Sequence, residues 1–139
     1  MKKSFVLAAL LPLAVGAQDI KQELHAELKA QVEFPATVPA GNYSGITWLG
    51  GNEYAVVCDK ARADGFFIFH INIDPDTGVI SHAYNNEFRS SGYANRDMEG
   101  IAFMPKDTTI FISGEGDNRI KEYELKTGKY TSRELNVPD

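Results

Sequence analysis

A single cysteine, Cys58, stands in the 139 residues, so no internal disulfide can form and stability has to come from packing. It ends the apolar run Ala55-Val56-Val57 and reads as a small buried residue rather than a reactive thiol. Lysine and arginine are scattered, with no basic stripe interleaved with aromatics, which removes the usual footprint of a nucleic-acid binder. A net charge of −5 further disfavours non-specific binding to phosphate polymers, while leaving room for a small anionic ligand held by a local cluster of cations. Familiar catalytic signatures are missing too. There is no G-x-S-x-G elbow, no H-E-x-x-H, no P-loop and no dinucleotide fingerprint. Gly114-Glu115-Gly116 lacks the helix that a phosphate-cradling loop needs.

The longest apolar run, residues 5–15, is too short for a comfortable membrane span. With Lys2 and Lys3 before it and Val15-Gly16-Ala17 after it, it has the three regions of a cleavable signal peptide over residues 1–17. Gln18, not Cys, follows the cleavage site, which argues against a lipid anchor. A periplasmic or secreted protein is expected, with no membrane attachment after cleavage.

What remains is about one domain in length. Residues 20–34 alternate, with Gln22 as the one exception: Ile20, Leu24, Ala26, Leu28, Ala30, Val32 and Phe34 on one parity, Lys21, Glu23, His25, Glu27, Lys29, Gln31 and Glu33 on the other. Period two predicts a strand, although the composition is helix-forming. His25 falls on the polar face. Pro35 and Pro39 bracket a linker, so residues 18–41 read as a strand and a connection.

Beyond them the chain repeats. Gly45 matches Gly100, Ile46 matches Ile101, Trp48 matches Phe103, Val57 matches Ile112 and Cys58 matches Ser113, all about 55 residues apart. The units span about 42–95 and 96–139. In the first, strands are predicted at 46–49, 54–58, 66–73 and 79–84, with a Gly-Gly-Asn turn after the first strand. Asp74-Pro75-Asp76-Thr77-Gly78 is a second turn, and residues 85–95 are read as a polar loop. Alternation along residues 66–73 puts Phe67, Phe69 and Ile71 on one face and Phe66, Ile68 and His70 on the other, making His70 a packed residue rather than a catalytic one. The second unit predicts strands at 99–104, 109–113, 119–125 and 130–135.

The fold class is therefore all-β: a partial β-propeller of about two four-stranded antiparallel blades, with a small β-sandwich as the alternative. Propellers close with about four to eight blades. Two blades imply either the front of a longer protein, whose remaining blades complete the ring, or self-association of copies. The first is the favoured expectation.

Hairpin geometry locates the chemistry. If one strand opens at Glu99 and its partner closes at Ser113, then Asp97, Glu99, Glu115 and Asp117 gather at one rim. Carboxylates there are hard oxygen ligands suited to Ca²⁺ or Mg²⁺, and Glu99 and Glu115 are equally candidates for a general base. A solvated acidic loop is the competing reading. The corresponding positions of the first unit are read as Ser44 and Lys60, and Lys60, Arg62 and Arg119 are the candidate contacts for an anionic substrate.

The segments SGITW, YAVVCDK, RDMEGIAF, IFISGEG and IKEYELKTGK resemble the phytase-like family, whose members are described as having esterase-like activity. The pattern falls on Ser44-Gly45-Ile46, Asp59-Lys60, Asp97 with Glu99-Gly100-Ile101-Ala102, and Glu115-Gly116. The likeness covers residues 42–129, the front of a family domain. It implies an exported bacterial β-propeller and a hydrolase of phosphate or carboxylic esters, with Ca²⁺ as its candidate cofactor, acting on a small anionic ester. A noncatalytic ligand-binding or scaffold propeller is the alternative.

Overall fold

The computed structural model describes residues 26–136, and the expected signal peptide and His25 lie outside them. Eight strands follow in chain order: β1 (Tyr43–Gly50), β2 (Glu53–Cys58), β3 (Gly65–Ile73), β4 (Ile80–Ser90), β5 (Met98–Met104), β6 (Thr109–Gly114), β7 (Arg119–Glu124) and β8 (Tyr130–Asn136). They form two antiparallel meanders, β1-β2-β3-β4 and β5-β6-β7-β8, with no helix among the described residues. This all-β pair of four-stranded sheets fits a partial propeller and a small sandwich alike.

The turns form for the reasons their residues suggest. Gly50 and Gly51 take φ of 123° and 55° between β1 and β2, values that glycine adopts without strain. Asp74 Oδ1 accepts hydrogen bonds from the backbone N–H of Asp76 (3.1 Å) and Thr77 (2.7 Å), and Gly78 follows at φ 70°. These contacts, led by the Thr77 hydroxyl, hold the Asp74 carboxyl below its ordinary pKa.

Three expectations need correction. Residues 26–34 form no strand, because a strand needs a neighbour for its backbone and no element pairs with them. The segment instead turns at residues 35–37, where Thr37 donates its hydroxyl to the Ala83 carbonyl at 2.5 Å. The polar stretch read as a loop over residues 85–95 is one only from residue 91 on: β4 runs on to Ser90, with a register shift between its pairs Ile68–Glu87 and Phe69–Asn85. An edge strand tolerates polar residues, and a bulge absorbs the extra one.

The third correction concerns the repeat. Gly45 pairs with Val57, whereas Gly100 pairs with Ser113. The offset of 55 in β1 and β5 therefore becomes 56 in β2 and β6, because the β5–β6 turn carries one residue more. Cys58 corresponds to Gly114, and Asp59, not Lys60, corresponds to Glu115. Both inner hairpins carry a register shift at the same place, between Tyr43 and Gly45 and between Met98 and Gly100.

The two sheets share one core. Ala55, Val57, Phe66 and Ile68 of the first pack with Met98, Ile110, Ile112 and Tyr123 of the second, and all are essentially buried. Gly45 allows the close approach: a Cβ there would stand 2.8 Å from the Glu99 carbonyl oxygen. Cys58 is buried, as its apolar neighbours suggest. His70 stacks on Tyr84 with ring centroids 4.6 Å apart, a packed residue of β3.

Candidate functional site

The rim where β1 and β5 begin and β2 and β6 end is knit across the two units. Asp97 sits just before β5 in the left-handed region, at φ 50°, a conformation that short polar side chains tolerate. Its N–H donates to Asn95 Oδ1 at 2.6 Å, and Asn95 Nδ2 donates in turn to the carbonyls of Asp59 (2.7 Å) and Ala61 (2.5 Å). On the other side Glu115 N donates to the Asp97 carbonyl and Gly116 N to the Arg96 carbonyl, each at 2.9 Å. Ser44 Oγ donates to the Met98 carbonyl at 2.5 Å. The entry to β5 is thus gripped by the loop after β2 and by the loop after β6.

Below this rim lies a buried polar network. Arg96 is 8% exposed and Asp64 1%. The guanidinium donates to Asp117 Oδ1 (2.6 Å), to the Ile112 carbonyl (3.2 Å) and to the Tyr123 hydroxyl (3.0 Å), while its Nε faces Asp64 Oδ1 at 3.4 Å. Tyr123 Oη donates to Asp64 Oδ2 at 2.6 Å. Gly114 makes this possible, since a Cβ there would come within 2.6 Å of an Arg96 nitrogen. Burial first, then the Asp64 hydrogen bond, push the Tyr123 phenol far above its ordinary pKa, so it stays a donor. Burial pushes the Asp117 carboxyl upward, but hydrogen bonds from Lys121 and Arg96 outweigh it and hold the group below its usual range.

Above the network opens a cleft of about 400 Å³, walled by Tyr93, Asn95, Asp97, Gly116, Asp117 and Lys121. Lys60 Nζ reaches Asp97 Oδ1 at 3.1 Å and Asp59 Oδ2 at 3.5 Å. The Asp97 hydrogen bond foremost, with the charge of Asp59, raises the Lys60 pKa, so its ammonium stays charged at neutral pH.

The structure brings together some of the residues singled out in the sequence. Asp97 and Asp117 wall the cleft, and Lys60 bridges to it. Glu115 is exposed one residue before Gly116 of the wall. Glu99 sits at the register shift of β5, exposed and outside the cleft lining. Arg62 is exposed in the loop after β2, and Arg119 is tied to Glu134 of β8 at 2.5 Å, toward the outer strands. The four carboxylates share a rim without sharing a point: among the described residues no group of three or more histidine, cysteine, aspartate or glutamate side chains is placed to hold a metal. Asp97 is engaged by Lys60, and Asp117 by Arg96 and Lys121 (2.9 Å). Ca²⁺ takes about six to eight oxygens, and this arrangement does not fit it.

Sequence reasoning missed Arg96, Asp64, Tyr123 and Lys121. The available signal was Arg96 itself, a long cation entering a strand opposite the side-chain-free positions Gly114 and Gly116.

Compared with known proteins, residues 38–139 match the family model described as phytase-like, esterase-like activity of phytase. No match was found among curated proteins, and none among solved structures.

Proposed function

The chain belongs to the phytase-like family, and we propose from that premise that it is an exported hydrolase of phosphate or carboxylic esters whose anionic substrate binds at the rim cleft. The observation that carries this reading is the Lys60–Asp97 contact: a cation from one unit and a carboxylate from the other meet at 3.1 Å beside a ligand-sized cleft. Lys60 and Lys121 offer the anion its charge, each by exchanging a carboxylate partner for the substrate. Glu115, with Glu99 as the second candidate, takes the proton from an attacking water. The water oxygen then bonds to phosphorus or the acyl carbon, the bond to the ester oxygen breaks, and that oxygen leaves with the proton the carboxylate had taken. The amino-terminal segment, with Lys2, Lys3 and a short apolar run, supports export.

A second reading has its own support. Asp97 and Asp117 are already committed to cations, as expected of a noncatalytic ligand-binding rim. Hydrolysis of aryl phosphate and aryl acetate esters separates the two. Loss of turnover in Glu115→Gln or Glu99→Gln, with unchanged folding, supports the hydrolase. Unchanged turnover in both removes these carboxylates from the chemistry. A wild-type protein that binds the phosphate ester without cleaving it, and loses that binding in Lys60→Gln, establishes the binding rim instead.

A further inference from the structure

The rim cleft lies at the junction of the two units, and one part of its wall has no role in the ester chemistry above. Tyr93 stands there 62% exposed beside Ala94, while Asn95, Asp97, Asp117 and Lys121 make the rest of the lining polar. The loop that carries the ring is held in place. Tyr93 N–H donates to Ser91 Oγ at 3.2 Å, and the Tyr93 carbonyl accepts from the Asp64 N–H at 3.0 Å. Ser91 in turn donates its N–H to the Asp64 carbonyl (2.9 Å) and its hydroxyl to Asp64 Oδ2 (3.2 Å). Gly92 makes the bend at φ 86°, a value glycine adopts freely. An exposed ring whose backbone is already fixed offers a ligand contact area at little further ordering cost.

The buried network that fixes this ring through Asp64 also fixes an ammonium. Arg96 holds Asp117 Oδ1 at 2.6 Å, and Asp117 Oδ2 holds Lys121 Nζ at 2.9 Å. Tyr130 links the two ends: Lys121 Nζ lies 5.8 Å from its ring centre, and the Tyr93 ring meets it edge-on at 6.3 Å. A ring and a cation that neighbour the same tyrosine thus share one cleft, each held by a different arm of the same network.

Charge alone does not select a ligand here. Lys60 is paired with Asp97 and Asp59, and Lys121 and Arg96 share Asp117, so an anion gains a cation only as a carboxylate gives way. Further anionic groups on the same ligand would meet those carboxylates and be repelled. The aromatic wall offers contact without any such exchange, and packing of ring on ring adds to the apolar burial. We propose, on the reading of this cleft as the substrate site, that the substrate is an ester of an aromatic alcohol bearing a single anionic group. Its ring packs on Tyr93 and its anion on Lys121. Tyr93 is then the residue that sets specificity, favouring aryl esters over alkyl esters of the same charge.

Titration of the full chain with phenylphosphonate and with ethylphosphonate, followed by amide NMR shifts, tests this. The carbon–phosphorus bonds of both probes survive an ester hydrolase, so binding is read without turnover. The wild type is expected to bind phenylphosphonate about three- to tenfold more tightly than ethylphosphonate. Tyr93→Ala is expected to bring phenylphosphonate down to the ethylphosphonate level and to leave ethylphosphonate unchanged, which also shows that the cleft is intact. Tyr93→Phe is expected to keep the preference, and Lys121→Gln to weaken both ligands by the same factor. Equal affinities in the wild type, a preference that survives Tyr93→Ala, or one that Tyr93→Phe abolishes overturns the proposal. The cleft as an anion site then stands as long as Lys121→Gln still weakens binding. Failure of both ligands to bind, or binding that Lys121→Gln leaves unchanged, removes the cleft as the substrate site and the proposal with it.

Discussion

Arg96 and Asp64 are both charged and both inside the protein, where removing an ion from water costs several kcal/mol unless partners restore what hydration gave. Tyr123 is the hinge of that compensation, donating to Asp64 while accepting from Arg96. Tyr123→Phe keeps the ring and removes both hydrogen bonds, and is expected to cost about 1–3 kcal/mol in urea unfolding. Arg96→Met should cost more, about 3–5 kcal/mol, because it leaves Asp64 charged and unpaired. Arg96→Met combined with Asp64→Leu should recover part of that loss, since no buried charge is then left alone. If the double variant is as unstable as the sum of its parts, the network is not one unit. Little of this was legible in the sequence. Strand periodicity places Tyr123 on the buried face, but nothing local to Arg96, Asp64 or Tyr123 says that the three, up to 59 residues apart, share a site. The rim carboxylates were more visible, because hairpin geometry alone brings Asp97 beside Glu115. Which cations would engage them depends on contacts between sheets, and sequence spacing carries no information on those.

At the scale of elements, two hairpins of the same design differ by what lies against them. Gly45 and Gly100 occupy equivalent positions at equivalent register shifts. A Cβ on Gly45 would meet the Glu99 carbonyl at 2.8 Å and Val57 at 3.2 Å; one on Gly100 would meet Ser113 Oγ at 2.7 Å, the end of a side chain that can rotate. Gly45→Ala is thus expected to destabilise by about 1–3 kcal/mol as overpacking against fixed backbone. Gly100→Ala should cost clearly less. Equal losses would mean that the sheets are not held together at Gly45. The turns, the strands other than β4's extension and the alternation of β3 were all readable from residue type, because each depends on neighbours in sequence. The failures share a cause. Residues 26–34 alternate like a strand but have no partner, and the polar residues 85–90 pair despite their composition because β3 lies beside them. Pairing, unlike periodicity, is decided at a distance.

The two-unit repeat was visible as a whole-molecule pattern, but its constant spacing was not correct, and the one-residue change in the second hairpin decides which residues are counterparts. Each large apolar side chain fully buried here contributes about 1.5–3 kcal/mol, and half of the shared core, Met98, Ile110, Ile112 and Tyr123, belongs to the second unit. A chain ending after residue 95 would expose Ala55, Val57, Phe66 and Ile68 together. It would also leave Asp64 without Arg96 and Tyr123, so burial of the carboxylate would lose its compensation. A single four-stranded meander cannot absorb both losses. Residues 18–95 are therefore expected to show no cooperative thermal transition by far-ultraviolet circular dichroism, while residues 18–139 melt in one step that near-ultraviolet aromatic signals follow at the same temperature. A cooperative transition in the shorter chain would mean that each unit is self-sufficient, and that the buried network joins two finished domains rather than completing one.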